Sequence, residues 1–422
     1  LIPAGPGKVM TTDETRKTTG ESVFNGSVLA MLGMVLLVGM GERLAERYLP
    51  LYLGALGAGA VAIGNLNALT NFLGGLYAYP GGWLSDRIGY RRALVFFTLM
   101  ACLGYTLVIL VPHWGAVFAG AALFGAWTSI SLPAAMSLVS KNVPKNRRAL
   151  GVSLHSLTRR VPMALGPVIG GALLASFGTA SGIRIAFAGA LVLALLAVAM
   201  ILRFVEEDPG ALKRPAPLLE SLRYFSPELR ALLVSDTLIR FAEQIPYAFM
   251  AVWVCRNLKV SEGTFGWLTA EEMAVAAFVY LPVAWLSDRG TKKPYILATF
   301  CFFTLFPMAL WLAGSLPAKL EKPGLLVPLL AFAFAIRGLK EFGEPTRKAL
   351  ILDLAPENAK AATFGTYYLI RDSVVAAAVL ASGWLWNVSP LANFATASAC
   401  GLLGTLFFAW RGRNLVSRTE DS

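Results

Sequence analysis

Apolar residues in this chain come in runs of about twenty, each closed by a short polar break, and twenty residues is the length of helix that crosses a bilayer. Twelve runs can be placed. Six precede a long polar interval: about Phe24–Leu53, Ala58–Leu84, Ala93–Val111, His113–Val139, Ala149–Phe177 and Ile183–Phe204. Six follow it: Leu229–Val254, Phe265–Leu286, Pro294–Leu312, Leu325–Pro345, Ala362–Trp386 and Leu391–Trp410. The interval Glu206–Glu228 holds Pro209, Pro215, Pro217 and Pro227 and reads as a linker. The pattern therefore predicts an all-α polytopic membrane protein of twelve transmembrane helices. Its expected parts are an N-terminal segment (1–22), a six-helix bundle (23–205), the linker (206–228), a second bundle (229–410) and a tail (411–422).

Composition sharpens this reading. The 422 residues are 56% hydrophobic and 15% charged, with mean hydropathy +0.62, where a soluble protein carries about a quarter charged residues. The net charge of +12 would fit a nucleic-acid binder, but its placement argues otherwise. Lys and Arg gather in every second connection: Arg87, Arg91 and Arg92; Lys141, Lys145, Arg147 and Arg148; Lys213, Arg214 and Arg223; Arg289, Lys292 and Lys293; Arg347, Lys348 and Lys360; and Arg411, Arg413 and Arg418 in the tail. The opposite connections hold few, Arg47 among them. That asymmetry places both termini in the cytoplasm, with the chain in the cell inner membrane. The first twenty residues are polar and show no cleavable signal, and Leu1–Lys8 read as an addition ahead of a native start at Met10.

The two halves repeat each other. Arg43-Leu44-Ala45-Glu46 matches Arg240-Phe241-Ala242-Glu243; Trp83-Leu84-Ser85-Asp86-Arg87 recurs identically at Trp285–Arg289; Pro133 matches Pro345; and Arg159 matches Arg371. The order is kept throughout, so the chain reads as two parallel six-helix repeats with a path between them.

The connection after the second span carries Gly82, Asp86, Arg87, Gly89, Arg91 and Arg92. This resembles the signature loop of the major facilitator superfamily, over nearly the whole chain, with a degenerate second copy at Asp288 and Arg289. Span five carries Gly166-Pro167-x-x-Gly170-Gly171, similar to a motif of that family's proton-coupled antiporters. The resemblance implies a rocker-switch transporter, nearest in pattern to the twelve-span drug or metabolite exporters. It also implies a cytoplasmic gate at Gly82, Asp86, Arg87, Gly89, Arg91, Asp288, Arg289 and Glu344. Read from the residues alone, Gly166, Pro167, Gly170 and Gly171 are a packing device: glycines let helices approach, and proline bends the span.

A charge inside a membrane span is costly and seldom faces lipid. Spans one, five, seven, ten and eleven carry such charges, which outlines a polar central cavity. Arg43, Arg159, Arg240, Arg337 and Arg371, with Tyr247 and Trp127, are the expected lining. Glu46, Glu243, Glu42 and His155 are the candidate proton carriers, and the same acids also fit structural pairs with neighbouring arginines.

No phosphate-loop signature is present; two histidines make no multi-histidine metal centre; and Cys102, Cys255, Cys301 and Cys400 are scattered. The expected protein is not an enzyme, takes no cofactor or metal, and works as a monomer on a small molecule, protons and membrane lipids. The leading expectation is proton-coupled efflux of an amphipathic compound. The alternatives are an organic anion, phosphorylated metabolite or lysolipid moved by symport or exchange, and a non-transporting receptor or scaffold.

Overall fold

The computed structural model describes residues 26–127, 148–205, 225–287, 291–355 and 360–412. The described secondary structure is helical: α1 (Gly26–Ala45), α2 (Leu49–Ala55), α3 (Ala60–Ile88), α4 (Tyr90–Leu110), α5 (Trp114–Trp127), α6 (Arg148–Phe177) and α7 (Thr179–Phe204) in the first half. In the second half come α8 (Pro227–Ala251), α9 (Glu262–Ser287), α10 (Lys293–Lys319), α11 (Leu326–Leu339), α12 (Glu344–Asp353), α13 (Lys360–Val379), α14 (Ser382–Val388) and α15 (Pro390–Arg411). Helix lies on every one of the twelve expected runs, and six described helices are long and apolar enough to cross a membrane. Large apolar side chains face outward, as at Leu103 (64% exposed) and Phe278 (81%), while charges lie inside. This is an all-α polytopic membrane protein.

Three expected single spans are broken, and two of the breaks have the same cause. Pro50 has no N–H to close an α-helical bond to the Glu46 carbonyl, so the Leu49 N–H takes that carbonyl three residues on. The result is a 3-10 turn at Glu46–Tyr48 between α1 and α2. Pro345 does the same in span ten: the Glu344 N–H reaches the Glu341 carbonyl, and the chain turns between α11 and α12. Span eleven breaks between α13 and α14. Elsewhere one glycine suffices for a turn. Gly89 (φ +87°) separates α3 from α4, and Gly178 (φ +77°) separates α6 from α7, each in a conformation that disfavours a side chain.

In the first half α1 packs on α6 and α7, and α4 on α7; in the second α8 packs on α15, and α10 on α11 and α15. The halves meet along α6 against α9 and α3 against α13. Under the sequence repeat, span five maps to eleven and span two to eight, so each contact is the counterpart of the other. At the end that bears the Gly178 turn the halves close tightly. A Cβ on Gly64 would sit 2.7 Å from the Ser382 Oγ, one on Gly383 2.5 Å from the Val61 Cα, and one on Gly266 2.4 Å from the Pro167 carbonyl oxygen.

Candidate functional site

A cavity of about 300 Å³ opens between the halves, walled by α1, α2, α3, α5, α8 and α9. Its polar lining is Glu42, Arg43, Glu46, Arg47, Asn67, Thr70, Asn71, Gln244 and Tyr247. A second cavity of about 210 Å³ shares Thr70, Asn71, Gly74 and Gln244 with it and adds Arg240, Arg371 and Asp372. The shared wall is an amide ladder across the halves. Asn67 Nδ2 donates to the Gln244 carbonyl (2.9 Å), and Asn71 Nδ2 reaches Asn67 Oδ1 (3.1 Å) and Gln244 Oε1 (3.2 Å).

In the first half Arg43 pairs with Glu46, one helical turn on, and Tyr247 donates to Glu46 Oε1 at 3.3 Å from across the cavity. The second half holds a chain of ion pairs. Glu272 pairs with Arg337; Lys340 Nζ lies 2.6 Å from Glu243 Oε1; Glu243 pairs with Arg240; and Arg240 Nη2 lies 3.4 Å from Glu344 Oε1. Glu344 accepts from Arg347 at 2.6 and 3.0 Å; Arg347 pairs with Asp236; Asp236 accepts from Arg371 (3.2 Å) and Tyr367 (3.1 Å); and Arg371 meets Asp372 at 2.7 Å. In this chain five acids alternate with five bases, with Lys348 and Arg47 joining at its edges through Glu344 and Glu272. The pairing is what makes so many charges tolerable in the interior, where a lone ion is far more costly than a pair.

Glycines set the spacing beside the cavity. A Cβ on Gly166 would lie 2.4 Å from the Arg43 Cβ, one on Gly170 2.0 Å from the Leu44 carbonyl oxygen, and one on Gly171 2.4 Å from the Glu262 carbonyl oxygen. The motif thus brings α6 against α1 on one face and α9 on another. Tyr48 fills the junction of the three helices, donating to the Pro167 carbonyl at 2.5 Å, with the Glu262 carbonyl 3.3 Å away.

Of the expected lining, Arg43, Arg240, Arg371 and Tyr247 border the two cavities, as do Glu42 and Glu46. Glu243 is buried in the ion-pair chain, and Arg337 pairs with Glu272 behind the wall formed by Arg47 and Tyr247. Trp127 lies in the apolar core, 5% exposed. Arg159 has Arg43 and Glu42 as its charged neighbours. Arg91 Nη2 donates to the Leu202 carbonyl on α7 (2.6 Å), which ties α4 to α7 within the first half. Arg87 is exposed, and Gly89 makes the turn described above. The side chains at Gly82, Asp86 and His155, together with Asp288, Arg289, the linker at 206–224 and the tail from 413, lie outside the described residues.

Two residues extend the expected site. Arg47, near the end of span one, lines the cavity beside Arg43. Glu272 was passed over, although an acid pair at Glu271-Glu272 inside an apolar run is a signal of its own. It is fully buried and holds Arg337.

A family model described as the Major Facilitator Superfamily matches residues 31–242. The chain belongs to the Major Facilitator Superfamily. Membership makes it a membrane transport protein rather than an enzyme. The chain is 28% identical over 203 residues to the minor myo-inositol transporter IolF of Bacillus subtilis, a match that spans 45% of this chain and 44% of that one. An uncharacterized MFS-type transporter of Methanocaldococcus jannaschii is 18% identical over 377 residues, 87% of this chain and 90% of that one. Among solved structures, a mutant of the peptide transporter POT in complex with sulfate superposes with TM-score 0.74 at 16% identity, covering 96% of this chain and 97% of that chain. The fold is therefore that of the superfamily.

Proposed function

We propose that the chain is a single-polypeptide secondary transporter which moves a small organic anion or phosphorylated molecule by alternating access, through symport or exchange. Two pseudo-symmetric six-helix bundles form it, with both termini cytoplasmic. In that orientation the Gly178 end faces outward and is shut. The observation that carries the reading is the charge on the cavity walls: Arg43, Arg47, Arg240 and Arg371 stand against Glu42, Glu46 and Asp372, beside a shelf of amides. An anion with further hydrogen-bonding groups fits such walls, because guanidinium forks grip carboxylate and phosphate oxygens two at a time. Among the similar proteins, one is named for myo-inositol and one is a peptide transporter solved with sulfate. This supports a polar solute over the amphipathic drug of the exporter reading.

Proton-coupled efflux is the second reading, and Glu46 is the observation that favours it. It is 29% exposed on its side chain and lines the cavity, whereas Glu243 is 8% exposed and held by Lys340 and Arg240. Glu42 and His155 are further proton carriers in that reading.

One experiment separates the two. Purified protein is screened by thermal unfolding against organic anions and lipophilic cations, and proton movement is followed on adding each ligand in weak buffer. The anion reading expects stabilisation by an anion, with proton uptake for symport or none for exchange. Stabilisation by a cation with proton release that disappears in Glu46→Gln would overturn it in favour of efflux.

A further inference from the structure

We propose that Arg47 is a shared cation. In the empty protein it ties the two halves together through Glu272, and an anionic substrate takes it over, so that binding itself unlocks the Gly178 end. The substrate part of this rests on the anion reading above.

Three observations converge. Among the described residues, Arg47 Nη2 to Glu272 Oε2, at 3.7 Å, is the one ion pair between a residue of the first half and a residue of the second. It is a charge contact beyond hydrogen-bond length, so it gives way more readily than its neighbours. It also sits beside Tyr48, where α1, α6 and α9 meet at the closed end.

Arg47 is also the uncommitted cation of the larger cavity. Arg43 is taken by Glu46. Among the described residues the Arg47 guanidinium donates no hydrogen bond, and it lies 5.1 Å from the centroid of the Tyr247 ring. Its fork of donors is therefore open to a carboxylate or phosphate arriving in the cavity. The 3-10 turn forced by Pro50 carries Arg47, so the side chain stands on a break in the span rather than on a continuous helix.

Glu272 is built to lose this partner. Arg337 holds Oε2, and Oε1 has no hydrogen-bond partner. Lys340 Nζ waits 3.8 Å from Oε1 while bound to Glu243 at 2.6 Å. A shift of roughly an ångström would give Oε1 a normal hydrogen bond. Release of Arg47 then strands no buried charge, which is the costly outcome for an interior pair. The same shift loosens Lys340 from Glu243. Glu243 leads through Arg240 and Glu344 to Arg347, towards the opposite end. Occupancy of the cavity is thereby linked to both ends of the molecule.

The test uses the full chain with Cys102, Cys255, Cys301 and Cys400 replaced by Ala and Ser382→Cys as a reporter. Ser382 is fully buried against Gly64 at the closed end. Maleimide labelling without ligand is expected to speed up by roughly tenfold in Arg47→Gln, the ratio that about 1.4 kcal/mol of lost attraction gives. Arg47→Gln keeps the Glu272–Arg337 pair, so it leaves no buried acid unpaired. Glu272→Gln also takes the counter-ion from buried Arg337, so its own effect should be the larger, and adding Arg47→Gln to it should change labelling no further, as expected of two ends of one interaction. Arg47→Lys should stay within about threefold of the parent. Unchanged labelling in Arg47→Gln, or additive effects in the double variant, would overturn the latch.

The substrate part is read separately, by thermal unfolding. Every organic anion that stabilises the parent should fail to stabilise Arg47→Gln, and equal stabilisation of both would overturn it. If no anion stabilises the parent, the anion reading itself falls, while the labelling result still decides the latch.

Discussion

Three donors converge on Asp236: Arg347, Arg371 and the Tyr367 hydroxyl. Asp236 and Arg347 are each 1% exposed and Asp236 also serves Arg371, so Asp236→Asn leaves this buried cluster one negative charge short, although Arg347 keeps Glu344. The expected loss is about 3–5 kcal/mol of stability, seen as a large fall in the unfolding temperature in detergent. Asp372→Asn should cost about 1 kcal/mol or less, because Asp372 is 29% exposed and Arg371 keeps Asp236. If the two variants unfold alike, the ion-pair chain does not hold this end together. At this scale the sequence was informative about which spans carry charge and silent about pairing. The local pairs Arg43–Glu46 and Arg240–Glu243 follow from three-residue spacing on a helix. Glu243–Lys340 and Asp236–Arg347 depend on how three helices are rotated about their axes, which no local spacing records.

Among the elements, α6 shows most directly how sequence sets geometry. Its glycines are spaced so that Gly166 and Gly170 face α1 while Gly171 faces α9. Gly170→Ala would force a methyl onto the Leu44 carbonyl, 2.0 Å away, and overpacking of this kind costs about 1–3 kcal/mol. A Cβ on Gly365 of α13 meets nothing within 4 Å, so Gly365→Ala should unfold at the parent's temperature or slightly above. Equal effects from the two would show that the α1–α6 contact is looser than described. The positions of the helices were legible because a bilayer admits few alternatives to helices of about twenty apolar residues. Their interruptions were less so. Pro50 and Pro345 were visible in the sequence, but a proline in a membrane span bends, breaks or merely tolerates its site according to which neighbours satisfy the freed carbonyl. Here the resulting turn at Glu46–Tyr48 carries Arg47 on the cavity wall.

On the scale of the whole molecule, the sequence repeat makes the two main contacts between the halves, α6 on α9 and α3 on α13, counterparts of one another, and the cavities lie between them. The repeat was readable because it survives as matched residues in matched order. Substrate preference was not, since it comes from which charges are left uncommitted once the network has formed, and that is settled only in three dimensions. The proposed account is an anion transporter that alternates between two closures of one cavity. Counterflow in proteoliposomes tests it most directly. Vesicles are loaded with an unlabelled organic anion that stabilises the purified protein, diluted, and given a trace of the same anion carrying a radiolabel. Label should accumulate transiently above its equilibrium level, without ATP, and fail to do so in Arg47→Gln. Stabilising binding with no counterflow would contradict it and leave the chain a receptor on a transporter's fold.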